Sequence, residues 1–237
     1  MDEAVRQEQI DTFFQEQASQ WDALTRRYEP RYDEMLQELV NRMHLPESKS
    51  AVLDLGCGTG NLSTLILRCN PNVNVICLDG ASEMLDMARA KLQQFQSRVT
   101  LIQGHFSDMP SGSFNAVVST LALHHLATDS DKRRLYSQVF KSLVPGGCFW
   151  NGDITLCSTP LDSTLDEQEW MNWLRQNDFT EQEVLTTIER SRINDRPAPL
   201  MDQLLWLRDI GFERVDCTWR YMGYAVFGGW RPQTVCE

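Results

Sequence analysis

Val52-Leu53-Asp54-Leu55-Gly56-Cys57-Gly58-Thr59-Gly60 decides how this chain is read. An apolar run broken by one acid ends on three alternate glycines, and Asn61–Cys69 follows with helical spacing. Strand, glycine turn and helix in that order form a ligand-binding loop, because glycine turns tightly and lets a ligand approach the main chain. Two details set this loop apart from one that cradles a dinucleotide pyrophosphate. The dinucleotide pattern needs a third glycine three residues after the second, and Asn61 stands there. Asp54, just ahead of the loop, would repel a pyrophosphate and favours a ligand carrying positive charge, such as an ammonium or a sulfonium.

Working outward, short apolar runs alternate with amphipathic helical patterns. Strands are expected at Ala51–Leu55, Val73–Leu78, Val99–Gln103, Ala116–Thr120 and Gly147–Ile154. Helices are expected at Asn61–Cys69, Ser82–Phe95 and Asp129–Leu143, the last capped by Asp129. Continuous apolar strands between such helices predict a parallel sheet covered on both faces, an α/β fold. Residues 155–198 interrupt the alternation. Thr180-Glu181-Gln182-Glu183 reads as a capping box opening a helix with Val184, Leu185 and Ile188 inward. Leu200–Ile210 resumes as helix with Gly211 at its C-cap, and Arg214–Tyr221 with Tyr224–Phe227 reads as a hairpin. The organisation expected is an N-terminal helical lid over 1–49 and an α/β domain over 50–237 carrying a helical insert at about 155–198.

Asp79 ends the second strand, 19 residues after Gly60. An acid at that distance sits at the tip of the neighbouring strand, where its oxygens can accept ribose hydroxyls. With these residues in view, the chain resembles the class I S-adenosylmethionine-dependent methyltransferases from about Phe14 to the C-terminus. The resemblance includes the lead-in Phe14-x-x-x-Ala18-x-x-Trp21-Asp22 and the late loop Leu143-Val144-Pro145-Gly146-Gly147. It implies a Rossmann-like, seven-stranded, mostly parallel sheet with an antiparallel last strand. It implies S-adenosyl-L-methionine as cofactor, with Gly56, Gly58 and Gly60 along its methionine and ribose portions and Asp79 on the ribose. Cys57, Gly80, Met84 and Thr120 are the adjoining cofactor positions, and Trp21 and Tyr28 are expected to border it from the lead-in. The family usually has Gly-Asp after the third strand, whereas this chain reads Gly104-His105-Phe106. His105 and Phe106 are therefore expected at the adenine, by hydrogen bonding and ring coverage.

Ser119-Thr120-Leu121-Ala122-Leu123-His124-His125 follows the fourth strand at the edge where ligands bind. His124 is the candidate catalytic base and His125 a candidate substrate contact. Adjacent histidines are expected to point in different directions, so no shared metal is predicted. The insert supplies Trp170, Trp173 and Arg192, and the hairpin supplies Tyr221, as further substrate contacts. Arg175 and Arg190 read as surface pairs with neighbouring acids. The insert reads either as a lid or as a homodimer interface.

Lys plus Arg number 22 and Asp plus Glu 33 in 237 residues, a net charge of −11. That balance argues against a nucleic acid partner or an anionic membrane surface. No apolar run approaches the roughly 20 residues of a membrane span. The polar, acidic N-terminus is unlike a secretory leader, and the seven scattered cysteines show no CxxC pair. A cytoplasmic enzyme is expected, methylating O, N or C of a small-molecule acceptor. The Trp-rich insert, Ser191-Arg192 and the hairpin are also loosely similar to carboxy-S-adenosylmethionine synthases, which modify the cofactor and use an arginine to hold a carboxylate. A non-catalytic S-adenosylmethionine-binding protein is the third reading.

Overall fold

The apolar runs assemble into one seven-stranded sheet in this computed structural model, which describes residues 3–233. The strands are β1 Ser50–Leu55, β2 Val73–Asp79, β3 Val99–Gln103, β4 Phe114–Thr120, β5 Leu143–Ile154, β6 Glu213–Tyr221 and β7 Tyr224–Trp230. They stand in the order β3-β2-β1-β4-β5-β7-β6. The pairs from β3 through β5 are all parallel, and β7 runs antiparallel to both β5 and β6. This is the expected mostly parallel sheet with an antiparallel last strand. Chain order reverses between the sheet neighbours β1 and β4, and the crevice at their carboxyl ends is where ligands bind in sheets of this type.

Both faces are covered, which is why the strands read as continuous apolar runs. Val52, Val75 and Cys77 pack on one side against α3 Tyr32–Arg42, α4 Asn61–Cys69 and α5 Ser82–Lys91. Leu53, Leu55 and Leu78 face the other side, against α6 Asp129–Ser142 and α9 Leu200–Ile210. Alternation with period two sends neighbouring strand residues to opposite layers.

Several local expectations shift. The cap of α6 is Thr128, whose side chain accepts from the Asp131 N–H; its backbone is extended, while Asp129 is already helical. α5 ends at Lys91 and the chain tightens into a 3₁₀ stretch over Gln93–Arg98. β5 begins at Leu143, four residues early, because Leu143 pairs with Phe114 across a register shift. In the insert, α7 Pro160–Gln176 packs on α8 Glu181–Asn194. The Thr180 capping box is present, and Val184, Thr187 and Ile188 are buried. Leu185 is exposed, because the buried stripe follows positions 184, 187 and 188 and leaves 185 about 100° away. Gly211 closes α9 at φ 113°.

The first 49 residues divide. α3 is core: Met35, Leu36 and Leu39 are almost fully buried beneath the sheet. α1 Glu3–Gln17 and α2 Trp21–Tyr28 lie elsewhere, α1 packing on α5 and α8. The insert is tied to α2 by the indole N–H groups of Trp170 and Trp173, which donate to the carbonyls of Tyr28 (2.8 Å) and Arg27 (3.2 Å). Among the described residues, no helix is long and apolar enough to cross a membrane.

Candidate functional site

The glycine loop is held by main-chain bonds. The N–H groups of Gly56 and Cys57 both donate to the Leu78 carbonyl, at 2.8 and 3.0 Å, fastening the loop to the end of β2. Gly58 N–H donates to Asp79 Oδ2 at 2.7 Å, and Ala81 N–H to Asp79 Oδ1 at 3.0 Å. Gly56 has φ 69°, and a Cβ built on it would lie 2.4 Å from Ala122 Cβ, so only glycine fits between β1 and the loop after β4.

Above the loop lies a cavity of about 380 Å³. Trp21, Asp54, Gly56, Cys57, Gly58, Asp79, Gly80, Met84, His105, Phe106, Thr120 and His125 line it. Two expected cofactor residues do not. Gly60 turns the chain into α4 with its Cβ position against Leu92, and Tyr28 faces a second chamber. Asp54 is buried at the cavity wall; its Oδ2 accepts from Ser63 Oγ at 2.6 Å, and Oδ1 has no hydrogen-bond partner. Burial pushes its carboxyl up to about 7; the Ser63 bond opposes this and the charge of Asp79 adds to it. A buried acceptor with no partner is costly, so Oδ1 calls for a cationic or donating group from the cavity. Thr120 Oγ1 is likewise buried without a partner.

α2 is pinned to this loop by residues whose roles the sequence does not announce. Asp22 Oδ1 accepts from Thr59 Oγ1 (2.5 Å) and Asn61 Nδ2 (3.0 Å), and Oδ2 pairs with Lys91 Nζ at 2.6 Å. Lys91 Nζ also donates to Asn61 Oδ1 at 2.6 Å. The cluster holds Trp21 over the cavity mouth.

A second chamber, about 70 Å³, adjoins the first and shares Ile10, Phe14, Trp21, Leu121 and His125 with it. Its other walls include Tyr28, Glu29, His124, Trp170, Arg190 and Asp195. Trp170 thus falls where a substrate contact was expected. Trp173, Arg192 and Tyr221 do not line it. Trp173 caps the α2 end, Arg192 is exposed and paired with Glu167 at 2.6 Å, and Tyr221 stacks under the Arg31 guanidinium. Arg190, read from sequence as a surface residue, instead faces the chamber with its Cζ 4.2 Å from the Phe13 ring centroid.

The paired histidines do not diverge. They occupy a 3₁₀ turn, Leu123–His125, entered through Leu121 at φ 50°, and their ring centroids are 4.0 Å apart. The tight turn replaces the strand geometry that would have sent them to opposite sides. His124 Nδ1 lies 2.5 Å from Asp153 Oδ1, and Asp153 Oδ2 accepts from the His124 N–H (3.1 Å) and from Asn151 Nδ2 (3.2 Å). Burial works against charge on His124, but Asp153, with Asp195 and Glu29 behind it, outweighs burial and raises its pKa to about 9. His124 therefore holds a proton at neutral pH and is not a free base. Burial, joined by the charges of His124 and Arg6, pushes His125 well below its ordinary value and keeps it neutral. Glu29, bonded to Tyr224, is pushed up to about 7 by burial. Sequence reasoning passed over Asp153, although an acid inside an apolar strand is a signal for it; Glu29 and Asp195 lie in loops with no distinguishing pattern.

Residues 52–147 match the family model described as a methyltransferase domain. Over that segment the chain is similar to the class I S-adenosylmethionine-dependent methyltransferases. The cofactor of that family is S-adenosylmethionine, and the unpartnered Asp54 oxygen with Asp79 across the cavity fits its cationic and ribose groups. An uncharacterized methyltransferase of Oceanobacillus iheyensis is 34% identical over 124 residues, covering 52% of this chain and 53% of that one. The match thus spans about half the length of that curated relative. A carboxy-S-adenosyl-L-methionine synthase of Nautilia profundicola is 20% identical over 216 residues, covering 91% and 92% of the two chains. Among solved structures, an O-methyltransferase family protein from Burkholderia thailandensis superposes with TM-score 0.65 at 18% identity, covering 90% of this chain and 58% of that one.

Proposed function

We propose that this protein transfers the methyl group of S-adenosylmethionine to a small molecule seated in the second chamber. The observation that carries the reading is the junction of the two chambers at Phe14, Trp21, Leu121 and His125. A cofactor in the larger one presents its sulfonium methyl toward the smaller, and methyl transfer needs mainly such positioning. In this reading Trp21, Asp54, the glycine loop, Asp79, His105, Phe106 and Thr120 hold the cofactor, and His125, Trp170 and Arg190 contact the acceptor. α1, α2 and the insert act as the lid that keeps water from the reacting centre. The acidic net charge keeps nucleic acid outside the substrate range, and the free cysteines among the described residues suit a cytoplasmic setting. Leu161, Leu165 and Leu185, exposed on the insert, are the face a homodimer would cover.

A second reading, carboxylation of the cofactor, is favoured by the end-to-end similarity to carboxy-S-adenosylmethionine synthases and by one chamber-facing arginine, Arg190. Mass spectrometry of the nucleoside that co-purifies separates the two. S-adenosylmethionine or S-adenosylhomocysteine supports methyl transfer; a carboxylated sulfonium supports the alternative and overturns the first reading.

Asp79→Ala removes a charged acceptor from the ribose end and deletes the tether on Gly58 N–H. S-adenosylhomocysteine affinity is expected to fall by about 1.5–3 kcal/mol, measured by calorimetric titration. Unchanged affinity would detach Asp79 from the cofactor.

Asp54 carries the pH dependence. With its pKa near 7 in the free protein, it is about half protonated at pH 7. A cationic group at Oδ1 lowers that pKa, so binding expels a proton and affinity rises with pH between about 6 and 8. Titrations in two buffers of different ionisation heat are expected to show net proton release near pH 7; a buffer-independent heat would contradict the assignment.

A further inference from the structure

His124, His125 and Asp195 converge where the second chamber abuts the cofactor cavity, and each offers a ligand atom within 4.8 Å of the other two. Asp195 Oδ1 lies 3.7 Å from His124 Nε2 and 3.4 Å from His125 Nδ1. These separations exceed good hydrogen bonds, yet they match neighbouring donors around one ion with bonds of about 2.0–2.2 Å.

Three features ask for a cation at that point. The outer sides of the ligands are already committed: Asp153 grips His124 Nδ1 at 2.5 Å and thereby aims Nε2 inward. A carboxylate behind an imidazole is the arrangement that orients histidine ligands. On the facing side, Ser191 Oγ donates to Asp195 Oδ2 at 2.6 Å, leaving Oδ1 turned to the rings. Second, His125 also hydrogen-bonds the Asn194 backbone, yet its Nδ1 is buried with no hydrogen-bond partner among the described residues. A neutral imidazole lone pair facing a carboxylate oxygen is repulsive unless positive charge lies between them. Third, Glu29 Oε2 on the chamber wall is another buried oxygen without a partner. Arg190 on that wall, beside Glu29, and the buried Arg6, whose guanidinium donates to the His125 carbonyl at 2.8 Å, are the fixed positive charges there, with Asp153 behind His124.

We infer that His124 Nε2, His125 Nδ1 and an oxygen of Asp195 bind a divalent first-row transition-metal ion whose remaining coordination positions open into the second chamber. Two imidazoles and one carboxylate suit Zn²⁺, Fe²⁺, Mn²⁺ or Co²⁺, whereas Mg²⁺ and Ca²⁺ prefer oxygen alone. An ion there binds an acceptor oxygen beside the cofactor cavity and lowers its proton affinity, while Asp153 holds the His124 proton on Nδ1 and leaves Nε2 to ligate. That role rests on the transfer reading; the metal site does not.

The test is a Co²⁺ titration of the untagged, chelator-treated full chain, followed by visible absorption. One equivalent is expected to bind with the ligand-field bands of imidazole and carboxylate coordination. His125→Ala and Asp195→Asn are each expected to weaken binding about 100-fold or more, and Asp153→Asn, behind His124, about 10–100-fold. Thermal melts of each variant verify that it is folded. A wild-type chain that binds no Co²⁺ saturably, or folded His125→Ala and Asp195→Asn chains that bind it as the wild type does, overturns the site. S-adenosylhomocysteine titration of the same wild-type sample is separate: its failure would count against the transfer reading, while the Co²⁺ result still decides the metal site.

Discussion

Gly56→Ala is expected to abolish S-adenosylhomocysteine binding and to lower the melting temperature by about 5–15 °C, whereas Gly58→Ala loses affinity with a much smaller shift. Both glycines have positive φ, 69° and 53°, so each alanine carries the left-handed cost of roughly 1–2 kcal/mol. What differs is the surroundings. A Cβ at Gly56 falls 2.4 Å from Ala122 Cβ, in the loop between β4 and the paired histidines, and Phe106 stands 3.6 Å away on the cavity side. Neither neighbour is the loose end of a flexible side chain, so the loop must move and overpacking adds about 1–3 kcal/mol. At Gly58 a Cβ meets nothing within 4 Å, because it stands beside the cavity that the cofactor is to fill. Calorimetric melts and ligand titrations of the two variants read these costs separately. Equal melting temperatures would mean that β1 and the loop after β4 are not held in contact.

The lining of the larger cavity was legible because it is local. Asp54 and the three glycines are contiguous, and Asp79 lies one helix and one strand further on, so right-handed crossover geometry brings the strand tips together without further information. The second chamber was legible only at the histidine pair and Trp170, because Glu29, Arg190 and Asp195 come from separate segments that meet only in the fold. Arg190 and Arg192 show why. They are two residues apart on one helix, about 200° around its axis, so one faces the chamber and the other faces solvent. Nothing in the local sequence sets that phase; it follows from Val184, Thr187 and Ile188 being the residues the fold buries. The histidines failed for a related reason. Their expected divergence assumed strand geometry, and a 3₁₀ turn of three residues folds both rings to the same side.

Asp153→Ala is expected to destabilise the protein by about 3–5 kcal/mol, the range seen when one partner of a buried ion pair is deleted. The carboxylate is almost fully buried and serves three elements at once. It accepts from the backbone and ring of His124 in the 3₁₀ turn, from Asn151 on β5, and at 2.9 Å from the N–H of Ile154 as β5 ends. Alanine removes these acceptors together and leaves a buried donor at His124 N–H, while the ring loses the charge that sustains its own. Asp153→Asn keeps the shape and one acceptor oxygen, so its loss is expected to be the smaller of the two. The asparagine loss measures mainly the charge of the pair, and the further loss in alanine measures the shape and the retained acceptor. The same carboxylate orients His124 toward Asp195, so the stable placement of the second chamber and the chemistry proposed for it depend on one side chain. Urea unfolding of the three proteins near pH 7 decides it. If alanine costs less than about 1 kcal/mol, the β5 end and the histidine turn are held by packing alone, and Asp153 is not what fixes the histidine pair.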